Sequence, residues 1–159
     1  MKIKIIILIT LCFCIINAFR IASKTFIPII ISTSNATIIK LNSIGVKNNN
    51  NLANVIDFAA NKYDLSPEFI IALIQTESGF NENTISSKRY KGLMQIPQHV
   101  PPDANILIGS RIFREKMKLV DGNVEKALCL YKGYKIGSKD GIRETKKVLR
   151  IFQNLKEIT

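Results

Sequence analysis

The chain has 159 residues, room for one domain and little else. A hydrophobic fraction of 47% supports a real core, and a formal charge of +11 fits a polyanionic partner (nucleic acid, anionic lipid or an acidic wall polymer) or simply a solvated surface. Only Cys129 lies outside the N-terminal apolar run and His99 is the only histidine, which excludes an internal disulfide in the body of the chain and leaves no metal-ligand spacing.

In chain order, Met1-Lys2-Ile3-Lys4 is basic, Ile5 to Ile16 is almost wholly apolar, and Asn17-Ala18 precedes Arg20. A charged start, an apolar run and a small residue read as a secretory signal over residues 1–19, or as an uncleaved membrane anchor. The run is short for a span of ~20 residues, and Ile16-Asn17-Ala18 is a weak cleavage site. Either way the expectation is export, to the periplasm or cell envelope, with inner-membrane anchoring in the second case. Residues 20–51 are expected to be a flexible tether, because Ser32 to Asn50 is rich in Ser, Thr and Asn and has little to bury. Residues 52–157 are the expected folded domain.

Leu52, Val55, Ile56, Ala59, Ala60 and Tyr63 recur at helical spacing. Ser66-Pro67-Glu68 then opens a second helix: Ser66 suits the cap, Pro67 the first turn, and Glu68 the positive helix end. Phe69 to Ile74 is apolar all round, which predicts the buried centre of the fold. Gly79 ends this helix. A loop from Phe80 to Lys91 leads to a short extended piece, Gly92 to Ile96, stopped by Pro97. Further helices are predicted from about Asp103 to Leu119, from Asn123 through Tyr131, and after the loop Lys135 to Gly141. Cys129, within Ala127 to Leu130, reads as a buried, inert thiol.

Glu77 stands out chemically. It ends the most apolar helix, on the face of Ile70, Leu73 and Ile74. Burial and the negative end of the helix dipole both act against a carboxylate there. The expectation is a carboxyl that keeps its proton near neutral pH, as a general acid for glycoside cleavage must. An exposed glutamate near a helix end is the plainer alternative.

Glu77-Ser78-Gly79-Phe80-Asn81, then Ser86, then Gly92-Leu93-Met94-Gln95 closely resembles the signature of the soluble lytic transglycosylase family, of the lysozyme-like superfamily. Tyr63, the Pro67 to Ile74 helix, Asn105-Ile106 with Gly109, Gly122-Asn123, Ala127, Tyr131 and Glu144-Thr145 follow in the family's order. The resemblance covers roughly Leu52 to Phe152. It implies a mainly α fold of the lysozyme-like α+β type: a single helical domain with at most a small β element near Gly92 to Ile96. It also implies that Glu77 is the single catalytic acid/base. Ser78 would touch the sugar beside the scissile bond, and Met94 and Gln95 would line the cleft. Tyr131 would hold Glu77 through its hydroxyl. Ser78 as a helix-end hydroxyl, and Met94 and Tyr131 as core residues, are the plainer readings. Three departures concern subsite shape. Lys132 stands where the family has Asn, so one polar contact of the cleft is missing. Arg89-Tyr90 stands where the family favours Gly-Ala, and Pro97 to Asp103 is shorter than usual. The family's Tyr in the last helix corresponds to Val148.

Such a lone acid points to substrate assistance, since ordinary glycosidases use two carboxyls. Glu82 and Asp103 are candidates for a second one, but no motif places them. The implied substrate is the glycan strand of peptidoglycan, cut at the β-1,4 bond between MurNAc and GlcNAc. Attack by the muramic 6-hydroxyl would leave a 1,6-anhydro end without metal, nucleotide or other cofactor. A hydrolytic muramidase of the same fold and a non-catalytic wall-binding protein are the competing readings. A nucleic-acid partner is not expected, as the chain has no Trp and no recognition motif. A short exported member resembles enzymes that open the wall for secretion systems or phage.

Overall fold

A computed structural model describes residues 35–47 and 49–158. The expected signal or anchor at 1–19, and the tether up to residue 34, lie outside the described residues. Ala36–Thr159 forms one compact unit. It is mainly helical, with α1 over 35–43, α2 (Asn50–Tyr63), α3 (Pro67–Glu77), α4 (Pro102–Leu119), α5 (Val124–Tyr131) and α6 (Lys139–Lys156). Among the described residues the extended structure is limited to two antiparallel bridges, Ile85 with Lys91 and Lys91 with Ile96. That is the small β element expected near Gly92 to Ile96.

The C-terminal part of the expected tether is a correction. Residues 35–43 are helical and packed: Leu41 is fully buried, and Thr37 Oγ1 donates to Asp57 Oδ1 at 2.6 Å. Lys40 pairs with Glu68 at 3.1 Å. Gly45 turns the chain at φ +85°, and the buried Asn49 side chain donates to the Val46 carbonyl at 2.6 Å. Polar composition hid this helix, because its partners are 20 and 28 residues away.

α3 forms as its sequence dictates. The Ser66 hydroxyl accepts from Phe69 N–H at 3.2 Å, and Pro67 occupies the first turn. Phe69, Ile70, Ile71, Ala72, Leu73 and Ile74 are all buried, because α2 and α6 both pack on this helix. At roughly 1.5–3 kcal/mol for each large apolar side chain, this burial dominates the fold. Phe69 meets the Phe113 ring of α4 at 4.6 Å and the Phe152 ring of α6 at 5.7 Å. α4 packs on α2 and α5, and α5 on α6, which closes the bundle around α3. Asn123 and Ser138 cap α5 and α6 through their side-chain oxygens. Cys129 is buried, as expected, with its Sγ 3.5 Å from Thr145 Oγ1.

Candidate active site

α3 delivers Glu77 as its last residue. The chain then leaves the helix through two consecutive left-handed residues, Gly79 at φ +58° and Phe80 at φ +65°. Glycine adopts that conformation freely, whereas phenylalanine is strained in it. Arg89 and Gln95 also have positive φ, so the loop after Glu77 holds three such non-glycine residues. Strain of this kind persists only where surrounding contacts over-determine the backbone, and it gathers at functional sites.

Here those contacts come from α4. Asn105 is buried and clamps the loop at two points. Its Nδ2 donates to the Lys91 carbonyl at 2.9 Å, and its Oδ1 accepts from Met94 N–H at 2.8 Å. Gly92 lies under this amide, where an added Cβ would come within 2.4 Å of Asn105 Nδ2. One turn further along α4, an added Cβ on Gly109 would come within 2.6 Å of Met94 Cβ. Two glycines therefore let the loop press onto α4.

The expected site residues are brought into one region, but their side chains are not used as expected. The Tyr131 hydroxyl donates to the Met94 carbonyl at 2.7 Å, not to Glu77. Burial, and then the neighbouring Glu77 charge, push the phenol well above its ordinary range, so it stays a donor. Met94 is fully buried on Gly109 and Ser110. It is a core residue that contributes its carbonyl, not a side chain lining an open cleft. Gln95 turns inward, its Nε2 donating to the carbonyls of Thr84 at 3.0 Å and Gly92 at 2.8 Å. The Ser78 hydroxyl bonds back to the Ile74 carbonyl at 3.3 Å, the helix-end role. Val148 is buried core. Glu82 lines a separate cleft with Asn83, Gly92, His99 and Asn105. Asp103 accepts from Asn51 at 3.4 Å.

The residue that reaches Glu77 is Lys132. Its Nζ lies 2.6 Å from Glu77 Oε1, with side-chain exposures of 7% for the lysine and 14% for the glutamate. The replacement of the family's Asn therefore does not leave a contact missing; it puts a cation on the candidate acid. Glu144 of α6 lies in the same electrostatic neighbourhood. Its hydrogen bond from Lys147 at 2.8 Å holds its carboxyl below the usual range; burial opposes this, while Arg143 and Lys132 assist. The loop contributes Lys88, whose Nζ is 3.1 Å from where a Cβ on Gly133 would lie.

Residues 54–101, from α2 to the start of α4, match the family model described as Transglycosylase SLT domain. Over that segment the chain is similar to the SLT domain. The matched segment holds Glu77, Ser78, Met94 and Gln95. Tyr131, Lys132 and Glu144, which surround Glu77 from α5 and α6, lie beyond it. No solved structure matches the chain.

Proposed function

We propose that this protein is an exported lytic transglycosylase. It cleaves the β-1,4 bond between MurNAc and GlcNAc in peptidoglycan, with Glu77 as the single acid/base. The observation that carries this reading is the setting of Glu77. It ends a helix buried on all sides, beside a strained loop fastened to α4 and a tyrosine hydroxyl bonded into that loop. Positioning of that kind is what proton transfer to a glycosidic oxygen requires. The SLT match over this same segment supports the substrate class. Glu77 protonates the leaving oxygen, and the substrate's N-acetyl group stabilises the developing cation. Glu77 then takes the proton of the muramic 6-hydroxyl, whose attack closes the 1,6-anhydro ring. Residues 1–19 carry the chain to the envelope as signal or anchor.

The Lys132 contact favours a second reading, a wall-binding protein without activity, because the lysine ammonium occupies Glu77 Oε1. Mass spectrometry of purified sacculi incubated with the protein separates the two. Anhydro ends support the transglycosylase. Reducing ends indicate a muramidase of the same fold. An unchanged sacculus to which the protein binds indicates the second reading.

A further inference from the structure

Lys132 and Glu77 are two sheltered charges whose closest contact is with each other. Separating them without a substitute would leave a charge out of water and uncompensated, which is costly. As it stands, Glu77 Oε1 is engaged by Lys132 and not free to meet a glycosidic oxygen. The groups facing it are few. α5 presents Tyr131, whose neutral hydroxyl is bonded to Met94. α6 presents Glu144, already bonded to Lys147 at 2.8 Å and Arg143 at 3.3 Å. The loop presents Lys88 beside Gly133. Glu144 is thus held by Arg143 and Lys147, and Lys88 adds a cation beside Gly133, the next residue after Lys132, which suits an incoming anion.

We propose that the site takes a glycan carrying a free carboxylate next to the scissile bond, and that this carboxylate draws the Lys132 ammonium away from Glu77. The proposal rests on the glycan-cleaving reading above. The exchange keeps charge balanced: Lys132 passes from one carboxylate to another. Glu77 is then released from the ion pair and free to turn to the glycosidic oxygen. A muramic acid residue without its peptide offers such a carboxylate on its lactyl group, whereas a glycan with neutral sugars offers none. Lys132 then sets specificity and couples binding of the right strand to readiness for cleavage.

The test uses the full chain and two substrates: glycan strands stripped of peptide, and the same strands methyl-esterified. The wild type should cut the esterified strands ~10-fold more slowly or worse, the scale expected when one partner of a desolvated charge pair is lost. Lys132→Asn should lose that preference, and Lys132→Met serves if the first variant does not fold. A binding measurement gives a second readout. In Glu77→Gln the rival carboxylate is gone, so free-acid strands should bind ~10-fold more tightly than to wild type, with no gain for esterified strands. Equal cleavage of both strands by the wild type, a preference that survives in the lysine variants, or no gain in binding on Glu77→Gln would each overturn the exchange. Cleavage without discrimination removes only this proposal. A wild type that neither binds nor cuts either strand removes the glycan reading and this proposal together.

Discussion

The two ends of α3 each carry a glutamate paired with a lysine from a distant part of the chain. At the start, Glu68 meets Lys40 at 3.1 Å; at the end, Glu77 meets Lys132 at 2.6 Å. The settings are electrically opposite. At the N-terminus the helix dipole welcomes a carboxylate. Burial pushes the Glu68 carboxyl up, but its own backbone N–H, the Lys40 hydrogen bond and charge, and Ser66 outweigh this and hold it below the usual range. At the C-terminus the dipole opposes the charge, and Lys132 supplies the compensation from outside the helix. The same pair of side chains is a fastener at one end, where every influence agrees. At the other it is a poised contact, where the helix and the partner pull in different directions.

The largest test of that contrast is a matched pair of neutral replacements. Glu77→Gln should cost at least ~10²-fold in cleavage of sacculi, the typical loss of a general acid. Glu68→Gln should leave cleavage unchanged. Equal losses would mean that both glutamates merely stabilise α3. Gly109→Ala comes next. The new Cβ would collide with Met94 Cβ, which moves only with the backbone. A loss of about 1–3 kcal/mol in a thermal or denaturant melt is expected, together with lower activity as the Met94 carbonyl shifts. An unchanged melt would show that α4 does not fix the Glu77 end. Tyr131→Phe removes one hydrogen bond to that carbonyl. It should cost about 1 kcal/mol in stability, with a smaller loss of turnover than Glu77→Gln.

The smallest effect is at the other end, where Glu68→Gln should destabilise by about 1 kcal/mol or less at neutral pH. The sign follows from the lowered titration of Glu68 in the folded state. Its contribution is full above the ordinary carboxyl value of 4.5 and is lost as pH falls through the lower folded value. Wild type and variant should therefore converge in stability at acid pH. A difference that persisted there would assign the effect to packing.

Most of the helical framework was legible because its signals are local. Ser66 caps α3, Pro67 opens it, and an unbroken apolar stretch fills it. The brief extended piece after Gly92 was legible for the same reason. α1 was not, because Thr37 and Lys40 find their partners on α2 and α3, and no local pattern announces that. That Glu77, Met94, Gln95 and Tyr131 gather in one region was legible; their bonds were not. The change to Lys132 was visible, yet its meaning depends on a contact 55 residues away in sequence. Tyr131 was placed in the right neighbourhood, but a carbonyl of the loop competes for its hydroxyl and wins.

The Asn105 clamp has a consequence for how this loop can drift. One amide grips Lys91 and Met94, so the spacing between those two points is fixed by the width of a single side chain. An insertion or deletion between them would pull one grip loose. Upstream, the side chains of Ser87 to Tyr90 are exposed and can change character without disturbing either grip, while hydrogen bonds between Ser86 and Tyr90 hold the backbone of that turn. Arg89-Tyr90, which departs from the family pattern, falls in that exposed turn. Side chains can therefore vary on the outer loop while the anchored inner turn keeps its register on α4.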